Sequence, residues 1–514
     1  MKSLFKTVAL ITVFSMLTRV LGFLFRIILS RVVGAEGVGL YQVASSVFMV
    51  LMTVIASGIP LIISRLSAGY SASKAKKKTG SLVAVALIYT ILVSLVLCLL
   101  VVLFKGAFSK IFTDDRCYEI LIILLPSLVF SSVYSVFRGA LWGEGNYFAL
   151  CVSEFYEQVV RIILGILFIS TTFTAIENAI GLSWSMTIAC LLSMVFVVLL
   201  FFYYGGSVNK AKREFLGPLL KQSTPITLMR VAGSFIQPLI AIIIPARLMA
   251  IGYTSTQAMS LYGIAVGMTL PLIYIPTTII GSLSTALVPD ISKAVAQNDH
   301  SHIEARITSS IFFSLLISSL FVPIFLGMGE QTGIFLYDNV LSGTLLQSAA
   351  WVLIPLGLTN ITSALLNSLG YEKRSFVNFV IGSIAMFIAL WFLPLLFGIN
   401  AIIWAMGLNY LIVASLNIIL LKRKTKTNFK VMQNIGKLVL LIIPSSALTA
   451  FVVSLCDYVF PLFITLILGG MVSVISFALL AGIFNIVDIK AFIVNAQSRL
   501  KFKYRRKVKR SSIK

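Results

Sequence analysis

Residues 8–33 read VALITVFSMLTRVLGFLFRIILSRVV. A helix that crosses the hydrocarbon core of a bilayer needs about 20 predominantly apolar residues, and this run supplies them. Lys2 and Lys6 precede it as they would a secretory signal. Arg19 interrupts the run, however, and no small-residue cleavage site follows, so it reads as an uncleaved first membrane helix. Working outward, similar runs recur at 39–64, 81–104, 118–138, 152–172, 178–204, 224–246, 260–286, 307–328, 344–367, 375–396, 399–421, 438–455 and 460–485. About fourteen spans would occupy more than half of the 514 residues. Composition agrees: 59% of residues are hydrophobic, 11% are charged and the mean hydropathy is +1.02, whereas a soluble domain carries about a quarter charged residues. The expectation is an all-α integral membrane protein with little chain left for a soluble catalytic domain. Five scattered cysteines exclude a disulfide scaffold.

Charge orients the bundle. The chain has 41 Lys+Arg against 17 Asp+Glu, a formal net charge of +24. Basic excess in membrane proteins collects in cytoplasmic loops. With the N-terminus inside and fourteen spans, 32 basic residues fall on the cytoplasmic side, and only Arg31, Lys105, Lys110, Arg116 and Arg247 fall outside. This asymmetry predicts a multi-pass protein of the cytoplasmic membrane with both termini cytoplasmic. It also accounts for the charge without a nucleic-acid partner, and none is expected. The tail residues Lys501, Lys503, Arg505, Arg506, Lys507, Lys509 and Arg510 are placed on anionic lipid, each worth about 1 kcal/mol at the surface; a plain solvated tail is the alternative.

The chain also repeats itself. Thr18-Arg19-Val20-Leu21-Gly22 is echoed by Met229-Arg230-Val231-Ala232-Gly233, Leu40-Tyr41 by Leu261-Tyr262, and Gly145 by Gly370, with offsets of 211, 221 and 225. Six spans separate the copies, so the halves share an orientation and are related by an axis along the membrane normal. The expected organisation is an N-terminal lobe over 1–204, a basic linker over 205–222, a C-terminal lobe over 223–421, a basic loop with two additional helices over 422–485, and a basic tail over 486–514. Pro238, Pro245, Pro271 and Pro276 crowd the first two helices of the second lobe, where freed carbonyls are tolerable only against protein or water.

Four arginines, Arg19, Arg26, Arg161 and Arg230, fall inside spans. A mid-membrane arginine costs about 2.5–3.5 kcal/mol on insertion scales and marks a functional hypothesis. Arg19 and Arg26 are seven residues apart, two turns along one helix face with Gly22 between them. Glu154, Glu157, Gln158 and Arg161 stand at i, i+3, i+4 and i+7, a polar stripe in which Glu157 and Arg161 can pair. With two acids against three arginines, the first lobe keeps a positive surplus suited to a phosphate or pyrophosphate, which arginine binds bidentately. The alternative is structural neutralisation by the carboxylates. All seven residues are candidate substrate contacts.

Other signals are plainer. Gly139 and Gly143, and Gly263 and Gly267, are small-residue pairs suited to close helix packing. His300 and His302 lack partners at metal-ligand spacing, so no metal is expected. The absence of a Walker A motif, an H-E-x-x-H motif and a nucleophile elbow argues against nucleotide hydrolysis within this chain; no enzyme activity is expected and no cofactor is implied.

Three motifs carry a family likeness: Thr18-Arg19-Val20-Leu21-Gly22-Phe23 with Gly34, the Arg138-Gly139-Ala140-Leu141-Trp142-Gly143-Glu144-Gly145-Asn146 loop, and Glu157-Gln158-Val159-Val160-Arg161. Together they resemble the polysaccharide transporter (oligosaccharide flippase) family, in its stage V sporulation branch. That family belongs to the multidrug/oligosaccharidyl-lipid/polysaccharide exporter superfamily and is related to the lipid II flippases. The resemblance implies two six-helix lobes in a V, alternating access, and a lipid-linked saccharide substrate in spore-cortex peptidoglycan synthesis. It further implies diphosphate binding by helix-one arginines. Arg19 matches the first of these, and Arg26 follows seven residues later where the family spaces them by six. Rival readings are a drug/cation antiporter, a membrane glycosyltransferase or polymerase, and a non-transporting scaffold that recruits cell-wall synthesis enzymes.

Overall fold

Long apolar runs with few polar side chains satisfy their backbone only as helices in lipid, and the punctuation comes from glycine, proline and charge. The computed structural model describes residues 2–72, 76–297, 299–425 and 431–484; the basic tail lies outside the described residues. Every regular element among them is helical: α1 (Lys2–Ala56), α2 (Ile59–Ala72), α3 (Lys76–Leu103), α4 (Lys105–Ile111), α5 (Arg116–Leu124), α6 (Pro126–Gly143), α7 (Tyr147–Phe168), α8 (Ala175–Tyr203), α9 (Leu216–Ser234), α10 (Ile236–Ala250), α11 (Ser255–Tyr262), α12 (Leu270–Ile273), α13 (Ile275–Ala296), α14 (His300–Tyr337), α15 (Val340–Ala349), α16 (Leu353–Ser368), α17 (Glu372–Phe392), α18 (Pro394–Phe397), α19 (Ala401–Thr425), α20 (Val431–Asp457) and α21 (Leu462–Ile483). A π-helical stretch, Gly263–Thr269, joins α11 to α12.

Among the described residues, twelve helices are long and apolar enough to cross a membrane. The expected fourteen is not reached by this measure, for identifiable reasons. The first two expected spans form one stretch, Leu10–Tyr70, bent at Gly34 (φ 74°, ψ 171°) and again at Ser57 and Gly58. The fifth expected span is α7, whose Glu154, Glu157 and Arg161 make it too charged to count.

The chain divides into two units, Met1–Pro271 with Phe387–Ile402, and Leu272–Met386 with Ile403–Lys514. In the first, Ile62, Ile63, Leu82, Phe137, Phe201 and Leu219 belong to one buried apolar cluster. Close crossings at glycine hold it together. A Cβ at Gly139 would lie 2.7 Å from the Pro60 carbonyl oxygen, and one at Gly143 would lie 2.4 Å from that of Ser64. Gly39 and Gly263 leave still less room: a Cβ on either would sit 2.0 Å from a carbonyl oxygen, that of Met259 or Ala35 respectively. Both glycine pairs singled out in the sequence are therefore packing devices. In the second unit α14 is the hub for α13, α15, α16, α20 and α21. The last two helices dock there with Gly327 against Thr449, and they pack on each other where Gly469 meets Val453. A buried polar seam runs through this unit: Asn417 accepts from Asn378 at 2.9 Å and donates to Ser363 at 3.0 Å.

The internal echo has a geometric counterpart. Gly145 and Gly370 both have φ 81°, and each follows a helix whose end is closed the same way. Asn146 N–H donates to the Leu141 carbonyl at 3.0 Å, and Tyr371 N–H to that of Leu366 at 2.9 Å, the six-to-one bond of a Schellman turn. The proline-rich region is broken in step with its prolines: helix ends fall at Ser234, before Pro238, and at Ile273, before Pro276.

Candidate functional site

The first half of α1 and α7 lie side by side. Phe14 packs edge-on against Phe155 at 5.9 Å. A Cβ at Gly22 would touch Gln158 Nε2 at 3.3 Å, and one at Gly165 would overlap the Phe25 ring at 2.2 Å. Residue numbers rise together along both helices, so they run parallel, as two spans separated by three crossings must. Gly22 makes room for Gln158 and Gly165 for Phe25. The polar stripes are thereby brought to one helix pair.

On that pair both carboxylates are taken. The expected i, i+4 bond forms between Arg161 Nη2 and Glu157 Oε1. Glu154 Oε1 is bound by Arg138 Nη2, a residue that sequence reasoning assigned to a loop. Arg138 instead lies inside α6. The signal was available: Arg138 and Glu154 flank the Gly145 turn at nearly equal distance, and antiparallel helices joined by a short turn place such residues opposite each other. The four side chains keep between 25% and 39% of their surface exposed. Arg138 and Arg161 each have a buried Nε with no hydrogen-bond partner among the described residues. Tyr41 lies within electrostatic reach of both Arg161 and Arg26, extending the cluster to the second half of α1; the sequence marks it as part of an internal echo and not as a site residue.

Arg19 behaves differently. It is exposed, and among the described residues it makes no hydrogen bond or ion pair. Arg26 is half-buried and has a partner. Counting Arg138, the stripe holds four arginines and two acids. Arg230 is engaged elsewhere: its Nη1 donates to the Ser57 carbonyl at 3.0 Å, where α1 ends. A cation there meets the negative end of the helix dipole, an effect of about 0.3–1 kcal/mol. The neighbouring Gly58 packs so tightly on α9 that a Cβ would fall 2.5 Å from the Ser223 carbonyl oxygen.

A second ionic cluster went unread in the sequence. Arg116 binds Glu36 Oε1 through Nη1 at 2.8 Å and Asp114 through Nη2 and Nε at 2.8 and 3.0 Å. Its backbone N–H adds a third bond to Asp114, at 3.0 Å, and the Ser255 hydroxyl donates to Asp114 Oδ2. Burial raises the Asp114 pKa, but the bonds from Arg116 and Ser255 outweigh it and hold the carboxyl below its ordinary value. Among the described residues no group of three metal-ligating side chains comes together.

A chain built from membrane-length helices, with arginines set inside α1, α6, α7 and α9, is a multi-pass integral membrane protein. It belongs to the family described as polysaccharide biosynthesis protein, whose profile matches residues 4–295. It is 29% identical to the stage V sporulation protein B of Bacillus subtilis (strain 168), over 72% of this chain and 73% of that protein. It is 20% identical to the lipid II flippase MurJ of the same organism, over 92% of each chain. Among solved structures, its fold is similar to that of a lipid II flippase MurJ in an inward closed conformation, with TM-score 0.70 and 16% identity over 93% of this chain and 98% of that one. An inward-facing multidrug resistance MATE family transporter of the MOP superfamily aligns with TM-score 0.66 and 15% identity, over 80% of this chain and 94% of that one.

Proposed function

We propose that this protein is a flippase that moves a lipid-linked saccharide across the cytoplasmic membrane by alternating access, with both of its own termini in the cytoplasm. The finer reading is an undecaprenyl-diphosphate-linked peptidoglycan precursor destined for spore cortex. One observation carries the proposal: Arg19 stands in an apolar helix without a partner among the described residues, while both acids of the adjoining helix are already held by Arg138 and Arg161. An unaccompanied guanidinium in hydrocarbon is costly, and a diphosphate would satisfy it with bidentate, charge-assisted bonds. Arg26 would add to the same field, Arg161, Glu157, Gln158 and Glu154 would shape its far side, and Arg230 would act through the α1 break.

Transport follows from desolvation. A sugar headgroup cannot cross hydrocarbon without losing its hydrogen bonds; a hydrated cationic path between lobes 1–204 and 223–421, hinged on 205–222, removes that barrier while the polyprenyl tail stays in lipid. The pair of helices in 422–485 and the tail over 486–514 are additions to this core. No bond is made or broken, so the protein is a transporter and not an enzyme. The antiporter reading needs unpaired carboxylates for a cation, and Glu154 and Glu157 are both engaged. Partnership with cell-wall synthesis enzymes is compatible with either transport or scaffolding. Translocation of a labelled lipid-linked saccharide in proteoliposomes tests the proposal: wild type moves it and Arg19→Ala does not. Equal rates for the two, or no transport by wild type, would overturn it.

A further inference from the structure

A concentrated basic patch sits away from the arginine stripe. Lys77 and Lys78 open the membrane-length stretch Lys77–Leu103, and Tyr203 closes the stretch Ala175–Tyr203. The segment after Tyr203 folds back onto the start of α3. Asn209 donates its backbone N–H to the Gly80 carbonyl at 3.2 Å and its side-chain Nδ2 to the Lys77 carbonyl at 3.1 Å. Gly80 is a position where only glycine fits, since a Cβ would lie 2.4 Å from the Ser207 carbonyl oxygen. Further along, buried Phe215 stacks edge-on against Tyr70 at 6.0 Å, pinning the segment's far end.

The result is that Lys210, Lys212 and Arg213 are held beside Lys77 and Lys78, all five exposed. Among the described residues the acid closest in sequence is Glu214, 3.7 Å from Lys212. Like charges repel, and the positive end of a helix dipole makes the start of α3 a poor place for lysines. Yet two hydrogen bonds, a glycine and an anchored phenylalanine gather them there. Because two membrane helices begin and end at this level, with Tyr203 and Tyr204 beside it, the patch lies in the headgroup layer.

We infer that the start of α3 and the segment 207–213 form a binding site for the phosphate of an anionic phospholipid headgroup, organised by Asn209. The site shares no residue with the arginine stripe, and its lipid-binding test does not require transport, although segment 207–213 lies within the 205–222 linker of the transport reading. It differs from general surface attraction in depending on an uncharged residue.

Native mass spectrometry of the purified full chain tests it, counting retained phosphatidylglycerol against phosphatidylcholine of equal chain length, with inorganic phosphate as a competitor. Asn209→Ala, which leaves every charge in place, is expected to weaken phosphatidylglycerol retention severalfold. Lys210→Gln with Arg213→Gln is expected to weaken it roughly fivefold per cation removed, the equivalent of about 1 kcal/mol each. Lys422→Gln with Arg423→Gln, the same charge lost elsewhere, is expected to leave it unchanged. Equal losses from the two double variants would overturn the site in favour of net charge alone. Retention at the wild-type level in a folded Asn209→Ala protein would do the same, and if that variant does not fold the two double variants decide. Displacement by inorganic phosphate at matching affinity would make the occupant a soluble phosphate and overturn the lipid assignment.

Discussion

Two ionic clusters in the first unit use the same chemistry and end differently. Around Arg116, one guanidinium serves two carboxylates, Glu36 and Asp114, and a serine hydroxyl shares Asp114 Oδ2 with it. Every strong group there is answered within the protein, and the cluster ties the start of α5 to α1 and α11. Along α1 and α7 the count runs the other way: four arginines share two acids, and Arg19 is left over among the described residues. A network that closes on itself is a clamp. On the proposed function, one that leaves a guanidinium unanswered inside an apolar helix is a receptor for something brought from outside. Physically, the difference is one of stoichiometry rather than residue type.

Substitutions can separate these roles, and the largest effect is expected at the receptor. Arg19→Ala should abolish transport activity while leaving thermal stability at the wild-type level; both are read from one preparation by translocation assay and thermal unfolding. Arg116→Ala should do the reverse in order of severity. It leaves Asp114 and Glu36 without their donor, and losing charge-assisted bonds costs about 1–3 kcal/mol, visible as a lower unfolding temperature.

A smaller effect comes from pH. Asp114 is held below its ordinary value, so its clamp contributes stability above the normal carboxylate pKa of about 4. That contribution fades as pH falls through the lowered value. Unfolding temperature should therefore drop on acidification more in wild type than in Asp114→Asn, and identical pH profiles would break the comparison. The smallest expected effect is at the pair within α7. Arg161→Glu combined with Glu157→Arg restores an i, i+4 pair worth about 0.2–0.5 kcal/mol. Recovery of stability without recovery of transport would place Arg161 with the receptor; recovery of both would place it with the structural pairs.

Much of this architecture was legible because lipid leaves few options. Apolar runs must be helices, and run length marks where they cross. What the runs hide is continuity. Gly34, at φ 74° and ψ 171°, ends one helix and begins the next with no loop between them, and three charges in α7 lower its hydropathy without removing it from the bundle. The Gly145 and Gly370 echo could be read because a left-handed position strongly favours glycine. Pairing was harder. Glu157 and Arg161 share a helix, so their spacing suffices, whereas Arg138 and Glu154 meet only once α6 and α7 fold about their turn. Arg230 repeats the sequence pattern of Arg19 but not its circumstances, because a helix end at Ala56 supplies it with a carbonyl. Asp114 and Ser255 are 141 residues apart, and nothing local links them.

The most direct measurement is the affinity of the purified protein for undecaprenyl diphosphate and for undecaprenol, taken for wild type and for Arg19→Gln. The account predicts that wild type prefers the diphosphate by at least an order of magnitude, about 1.4 kcal/mol or more, and that Arg19→Gln loses this preference while binding undecaprenol as before. An Arg19→Gln protein that still distinguishes the diphosphate as well as wild type does would contradict it.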